Sequence, residues 1–210
     1  MRILSLKHNL LFLKKLQSEV SDIVKRLFDF IVSFLAIIIF IIPMIIISLL
    51  IKIDDGGPVL FKQKRGGYKQ RHFNILKFRT MVLNAEKKGL GYKTEENDPR
   101  ITKIGKFLRK YSLDEIPQLF NVLKGDMSIV GPRPALTVQT DEYNEYQKRR
   151  LDVKPGITGL AQVNGRNALT WDERIEWDIE YVESQTFLYD IKIIFKTVST
   201  VFGNKNIYNG

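Results

Sequence analysis

Cysteine is absent from the 210-residue chain. No disulfide framework can form and no thiolate can bind a metal ion, which suits a reducing compartment without proving one. Only two histidines occur, and His72 has no partner at metal-site spacing, so it is interpreted as a surface residue. The glycines at 156, 159 and 165 lack the spacing of a phosphate-binding loop, and no Walker-type nucleotide site is implied.

Charged residues are missing from Ile31 to Ile51, a run of 21 positions. At roughly 1.5 Å per helical residue this run is long enough to span a bilayer core. Pro43 lies in its middle, and it removes a backbone donor and pushes against the carbonyl of Ile39. Basic residues on both sides favour keeping both ends in the cytoplasm. From the residues alone, a spanning helix and a helix that enters and returns are equally supported.

The positive charge is unevenly placed along the chain. The formal net charge is +10, and the segment from Lys52 to Lys110 holds sixteen basic and six acidic residues. A basic zone directly after a membrane segment indicates attraction to anionic lipids or to a phosphate-rich substrate. Nucleic acid is the runner-up partner, but no nucleic-acid-binding signature is present and the membrane segment argues against it.

Local patterns predict a mostly helical chain with one hairpin. Two strands are expected around the Gly66-Gly67 turn, with Lys77 and Arg79 pointing to one face of the second. Lys25, Arg26 and Asp29 share a helix face, which favours a local ion pair. The segment from Lys154 to Arg166 is expected to be a structured loop. The two strands are expected over Val59–Lys64 and His72–Arg79, and helices over Thr102–Lys110, Glu142–Leu151 and Trp171–Val182. A loop or frayed helix is expected over Met81–Asn97, followed by a turn at Asp98-Pro99-Arg100. Two segments have open alternatives: an interfacial helix or a basic tail over Met1–Gln17, and an apolar segment over Phe187–Phe202 that packs on the domain or lies on the membrane.

The candidate chemistry lies between Arg109 and Pro134. Ser112 and Glu115 fit a capping box, and Gly125 fits a helix stop, so a short helix with Asp114 and Glu115 at its start is predicted. This capping would draw Glu115 back and leave Asp114 free to face cations. The two carboxylates could serve only the helix start. A carboxylate kept ionised among fixed cations could instead bind Mg²⁺ or attack a phosphorus atom.

Seven blocks carry a resemblance to the monotopic polyprenol-phosphate phosphoglycosyl transferases, a family of bacterial sugar transferases. They follow the family order from about Lys25 to Val201. The blocks are Lys25-Arg26-Leu27-Phe28-Asp29, Gly57-Pro58-Val59-Leu60-Phe61, Lys77-Phe78-Arg79-Thr80-Met81, Asp98-Pro99-Arg100, Ser112-Leu113-Asp114-Glu115, Gly131-Pro132-Arg133-Pro134 and Lys154-Pro155-Gly156-Ile157-Thr158-Gly159.

The resemblance implies an activity and its participants. A sugar-1-phosphate would pass from a UDP-sugar to polyprenol (undecaprenyl) phosphate with release of UMP, which is the initiating membrane step of bacterial glycan assembly. Mg²⁺ would be the cofactor, with Mn²⁺ as the alternative metal. Asp114 would be the nucleophile and metal ligand, with Glu115 as its partner in orienting the metal or handling the acceptor. Substrate phosphates would be held by Arg109, Arg133, Lys77 and Arg79.

The resemblance also implies a location at the cytoplasmic face of the bacterial inner membrane. The protein would enter one leaflet through a re-entrant helical hairpin broken at Pro43, where many members have Ser in place of Ile42. Contacts with membrane lipids and with downstream glycan-assembly enzymes are expected.

The predicted fold is α+β and mostly helical. It comprises an interfacial and membrane segment over 1–52 and a compact catalytic domain with a small β-hairpin over 53–210. Two non-catalytic alternatives stay open. A membrane-docked module that recognises phosphate or anionic lipid would depend on the charge of Lys52 to Lys110 and not on Asp114, and a structural anchor for a glycan-assembly complex would tolerate loss of both.

Overall fold

The computed structural model describes residues 2–87, 91, 98–165 and 168–202. This part of the chain is mostly helical with two small sheets, which confirms the predicted fold class. The helices are α1 Arg2–Asp55, α2 Lys103–Lys110, α3 Gln118–Lys124, α4 Thr137–Thr140, α5 Glu145–Lys148, α6 Leu160–Asn164, α7 Trp171–Ser184 and α8 Phe187–Phe202, and the strands are β1 Leu60–Gly66, β2 His72–Phe78, β3 Ser128–Val130 and β4 Gly156–Thr158.

Helix α1 contains the uncharged run. Its stretch from Glu19 to Asp55 is long and apolar enough to cross a membrane by length and composition. The chain is helical on both sides of Pro43, so the predicted helical hairpin is not confirmed. The side chains of Ile38 to Pro43 are all exposed, whereas Ser33 before this run and Ile47 after it are buried.

The first turns of the apolar part of α1 are fixed to the domain by polar contacts. The predicted pairing of Asp29 with Lys25 or Arg26 is wrong, because all three side chains find partners far along the chain. Asp29 is buried and accepts hydrogen bonds from the Ser128 hydroxyl at 3.1 Å and the Ile129 N–H at 2.9 Å. Lys25 forms an ion pair with Asp190 of α8, and Arg26 donates to the carbonyl oxygens of Val122 and Leu123 at 2.7 Å each.

The predicted hairpin is confirmed. Strands β1 and β2 are antiparallel, from Leu60 opposite Phe78 to Gly66 opposite His72. The side chain of Asn121 in α3 bonds to the outer edge of β2, accepting from the Leu76 N–H at 2.9 Å and donating to the Asn74 carbonyl at 2.8 Å. The hairpin is therefore held against the helix that follows the acidic pair.

A second sheet of two parallel strands joins two motifs that are distant in sequence. Ser128 lies opposite Gly156, and Val130 lies opposite Thr158. The segment predicted as a loop from Lys154 thus contains strand β4 and helix α6, while Arg166 lies outside the described residues. The strands can approach because of Gly131, where a Cβ would lie 2.2 Å from the Lys154 carbonyl oxygen. Three-residue strands have too short an apolar pattern to be recognised from sequence.

The buried side chains of the core come from α1, α2, α3, α6, α7 and α8, from strands β2 and β3 and from the segments between these elements. Helix α7 begins as predicted, with the Thr170 side chain capping the Glu173 N–H. Ile175 and Ile179 of α7 pack with Ala135, Tyr143 and Leu151. A second cluster contains Ile47 and Ile51 of α1 together with Phe78 and Leu108. Helix α1 therefore contributes side chains to the core of the domain.

Candidate active site

The acidic pair lies in a short 3₁₀ turn, Leu113–Glu115, and not in the first turn of an α-helix. The predicted capping box is wrong: Ser112 has a left-handed backbone with φ of 55° and its side chain makes no capping hydrogen bond. Helix α3 begins after Pro117, whose φ of −61° suits a helix start. The predicted stop is confirmed, since Gly125 is left-handed with φ of 98°.

Glu115 binds two cations that come from different parts of the chain. Its Oε1 accepts hydrogen bonds from Lys77 Nζ at 2.7 Å and from Arg133 Nη2 at 2.5 Å. Burial opposes ionisation of Glu115, but the charges of Arg133 and Lys77 outweigh it and hold the carboxyl pKa well below its usual range. The Glu115 charge in turn raises the pKa of Arg133. Glu115 is therefore an ionised anchor for the two cations, and it is not drawn back to the helix start.

Asp114 differs from its neighbour although the two residues are adjacent. Its side chain is partly exposed and accepts no hydrogen bond from any residue that the structure describes. Burial and the Glu115 charge raise its carboxyl pKa, against the opposing effects of Lys77, Arg109 and Arg133. Asp114 is thus a carboxylate with free oxygens, beside a carboxylate whose hydrogen bonds are already occupied.

Two of the predicted phosphate-binding residues lie apart from Glu115. Arg109, in the last turn of α2, donates from Nε to the Thr80 hydroxyl at 2.9 Å. Arg79 is 7 % exposed and forms a two-pronged ion pair with Asp55 at the end of α1, with one contact of 2.8 Å. The structure thus brings together Asp114, Glu115, Lys77 and Arg133 with Arg109 nearby, whereas Arg79 contacts the end of α1.

Sequence reasoning missed Arg65 at the end of β1. Its Nη1 donates to the Pro134 carbonyl at 3.1 Å, next to Arg133. Burial and the Arg133 charge lower the Arg65 pKa to about 10, against the effect of Glu115. The bridge between Arg65 and Leu136 brings it to the site, and no local pattern distinguishes it from the other basic residues of the hairpin.

Asp98, interpreted from sequence as a turn residue, is 2 % exposed and forms a buried ion pair with Arg100. It also accepts the Arg100 N–H at 2.9 Å, as a turn-forming aspartate does. The predicted turn is confirmed, and the added ion pair fixes the segment that leads into α2.

A divalent cation at this site would have one protein carboxylate available. Among the described residues, no three His, Cys, Asp or Glu side chains are grouped so that they could hold a metal ion by themselves. Mg²⁺ in phosphate-transfer sites is commonly held by one or two carboxylates together with substrate phosphates and water. The free oxygens of Asp114 fit that pattern, since the Glu115 oxygens are occupied by cations.

Together, these features define a domain built on an apolar helix, with a carboxylate pair among cations that suit a phosphate-bearing substrate. A sequence profile of the bacterial sugar transferase family matches residues 20–204. The chain belongs to that family.

Individual relatives agree with this assignment. The chain is 43% identical over 185 residues to the uncharacterized sugar transferase EpsL of Bacillus subtilis, covering 88% of this chain and 90% of EpsL. It is 41% identical over 199 residues to the UDP-glucose:undecaprenyl-phosphate glucose-1-phosphate transferase of Escherichia coli, covering 91% of this chain and 43% of that protein. It is 42% identical over 204 residues to the undecaprenyl-phosphate galactose phosphotransferase of Salmonella typhimurium, covering 90% and 42%. The chain therefore spans less than half the length of these two transferases.

Proposed function

We propose that the protein transfers a sugar-1-phosphate from a UDP-sugar to undecaprenyl phosphate and releases UMP, as the first membrane step of exopolysaccharide, capsule or related glycan assembly. The names of the Escherichia coli and Salmonella relatives support the substrate classes. The observation that carries the proposal is the unequal pair: Asp114 has free oxygens, while Glu115 holds Lys77 and Arg133.

In the first step, an Asp114 oxygen attacks the sugar-bearing phosphorus of the UDP-sugar. A bond forms between the carboxylate oxygen and phosphorus, the bond to the UMP oxygen breaks, and UMP leaves with that electron pair. In the second step, a phosphate oxygen of undecaprenyl phosphate attacks the same phosphorus and the Asp114 carboxylate is regenerated. The product is a sugar linked to the lipid through a diphosphate. The raised pKa of Asp114 suits this role, because a more basic carboxylate is a better nucleophile once ionised.

The neighbouring cations neutralise charge that develops on the transferred phosphoryl group. Phosphoryl transfer is accelerated mainly by positioning and by electrostatic stabilisation. Arg133 is half exposed, so part of its guanidinium can reach a phosphate oxygen while Glu115 orients it. Glu115 thereby keeps Lys77 and Arg133 fixed before the substrate arrives. Mg²⁺ held by Asp114 and a substrate phosphate would add Lewis-acid stabilisation of the same charge.

We also propose that α1 enters one leaflet and returns, so that the protein is monotopic at the cytoplasmic face. Lys25 donates to the Val130 carbonyl, and Ile47 packs with Phe78, so both ends of the apolar run contact one domain. Along a straight helix these two residues would be roughly 33 Å apart at ~1.5 Å per residue, about the thickness of the hydrocarbon core. A spanning helix would separate the two contacts by the whole bilayer. The exposed run Ile38–Pro43 supports a bend that points away from the domain.

The proposed function is tested by labelling without the acceptor. Enzyme incubated with a UDP-sugar radiolabelled in the sugar, in the absence of undecaprenyl phosphate, should acquire label and release an equal amount of UMP. Asp114→Asn should abolish labelling, because an amide oxygen is a poor nucleophile. Glu115→Gln should slow labelling or trap the labelled state, because the two cations lose their anchor.

Undecaprenyl phosphate added to labelled wild-type enzyme should move the label into lipid. If the enzyme never labels but still forms lipid product, direct attack by the lipid phosphate is the better mechanism and Asp114 is a metal ligand or a turn residue. If neither label nor product forms with any UDP-sugar while vesicles of anionic lipid still bind, the chain is a binding module.

A further inference from the structure

Arg133 sits in a rigid segment, and its main chain is held as firmly as its side chain. The residue lies between Pro132 and Pro134, which fix the backbone on both sides. Its carbonyl oxygen accepts a hydrogen bond from Arg150 Nη2 at 3.0 Å. The next carbonyl, that of Pro134, accepts from Arg65. Two guanidinium groups from distant parts of the chain therefore hold consecutive carbonyls beside the candidate phosphate-binding residue.

Arg150 is an unusual residue to find in this place. It is 4 % exposed, forms a buried ion pair with Asp178 of α7, and donates to the Tyr143 hydroxyl at 2.5 Å. Its guanidinium also lies 5.6 Å from the centre of the Tyr143 ring and 5.4 Å from that of Trp171. Burying a charged pair costs several kcal/mol in lost hydration, and apolar residues of similar size often give equal stability. A role beyond stability would explain why an arginine is used here.

We propose that Arg150 is a positioning residue for Arg133, and this inference rests on the phosphate-holding role of Arg133 in the proposed function. The Arg150 side chain fixes the Arg133 carbonyl, the flanking prolines transmit that constraint to the Arg133 Cα, and the guanidinium of Arg133 then reaches Glu115 in one orientation. Asp178, Tyr143 and Trp171 orient Arg150 in turn. A merely structural Arg150 would affect folding, but it would not act through the Arg133 side chain.

The test replaces the buried pair without leaving an unpaired charge. The variant Arg150→Met with Asp178→Leu removes both ions and keeps the site apolar, which preserves folding in comparable cases. A matched control is Arg149→Met with Glu183→Leu, which removes an exposed pair at the neighbouring position that joins the same two parts of the chain. Both variants are made in the wild-type background and in an Arg133→Met background. The measurements are the rate of acceptor-free labelling at saturating UDP-sugar, the KM for UDP-sugar and the thermal unfolding midpoint.

The expected result is a loss of about tenfold or more in the labelling rate for the Arg150 variant, since a 1 Å misplacement can cost about a hundredfold. The KM and the unfolding midpoint should change little, and the control pair should label normally. In the Arg133→Met background, the Arg150 variant should cause no further loss, because it acts only through the missing side chain. Arg150→Lys should recover part of the rate, because a single ammonium can still reach the carbonyl.

Two results would overturn the inference. One is a wild-type labelling rate in the Arg150 variant. The other is an equal fractional loss in both backgrounds, which would show that Arg150 acts independently of Arg133. If Arg133→Met itself labels normally, the phosphate-holding role and this inference both fail, whereas the nucleophilic role of Asp114 is unaffected.

Discussion

Gly105 in α2 allows a close backbone contact beside the candidate site. A Cβ at this position would lie 2.1 Å from the Thr80 carbonyl oxygen and 2.7 Å from its carbon. The same oxygen already accepts the Thr102 N–H at 3.0 Å, at the start of the helix. Replacement by alanine would therefore push α2 away by about 1 Å, since Cβ atoms rarely approach other heavy atoms below 3.0 Å.

Two opposing effects decide the outcome of Gly105→Ala. Alanine favours the helix by about 1 kcal/mol over glycine. Overpacking costs about 1–3 kcal/mol, and losing the hydrogen bond to Thr80 costs about 1 kcal/mol more. The expected balance is a destabilisation of about 1–3 kcal/mol, or about 2–12 °C in the unfolding midpoint for a chain of this size. Because Arg109 is carried by the same helix, the labelling rate should fall by about 10- to 100-fold.

The assay combines thermal unfolding of the detergent-solubilised enzyme with the rate of acceptor-free labelling. Lys106→Ala is the matched control, because it changes the next, exposed position of the same helix and should shift stability by less than about 0.5 kcal/mol. A Gly105→Ala enzyme that is as stable as the wild type, or more so, and labels normally would refute the reasoning. Helix propensity would then outweigh the contact with Thr80.

Three further predictions concern pH, metal and topology. The labelling rate should fall as the pH is lowered through the raised pKa of Asp114, at a pH above the ordinary aspartate value of 3.8. Glu115→Gln should move that fall to lower pH, because it removes a negative charge next to Asp114. A fall of the wild-type rate at the ordinary aspartate pH would contradict this. A chelator should abolish labelling, and added Mg²⁺ or Mn²⁺ should restore it. Full activity in the presence of the chelator would show that the reaction needs no divalent cation. Because the chain has no cysteine, the single substitutions Glu19→Cys and Leu188→Cys can be probed with an impermeant thiol reagent on intact cells. Both cysteines should be protected from the reagent. Labelling of only one would indicate a spanning helix.

The elements that sequence predicted correctly have local causes. The hairpin follows from alternating residues around Gly66-Gly67, and α7 follows from the Thr170 cap and the apolar spacing after it. The stop at Gly125 was equally visible, because a left-handed residue after a helix favours glycine.

The elements that sequence missed depend on partners far along the chain. Glu115 matched a capping box by spacing, but Lys77 and Arg133, which lie 38 and 18 residues away, bind its carboxylate instead. A charged partner in a partly buried site outweighs a backbone N–H that water can satisfy. Asp29 likewise accepts hydrogen bonds from Ser128 and Ile129 and does not pair with its helical neighbours, because folding brings these two distant residues next to it. The roles of the site residues in catalysis remain predictions.

The contacts of α1 with the domain also affect how the protein can be produced. Phe78 and Leu108 are 3 % and 1 % exposed, in the cluster completed by Ile47 and Ile51 of α1. Deletion of residues 1–52 would expose those two side chains to water. It would also remove Asp29, which accepts the hydrogen bond of the Ser128 hydroxyl. Such a fragment is expected to aggregate, and it would not be a water-soluble catalyst. During synthesis, α1 emerges before the strands and helices that pack on it, so those elements would complete their folding against a helix that has already formed.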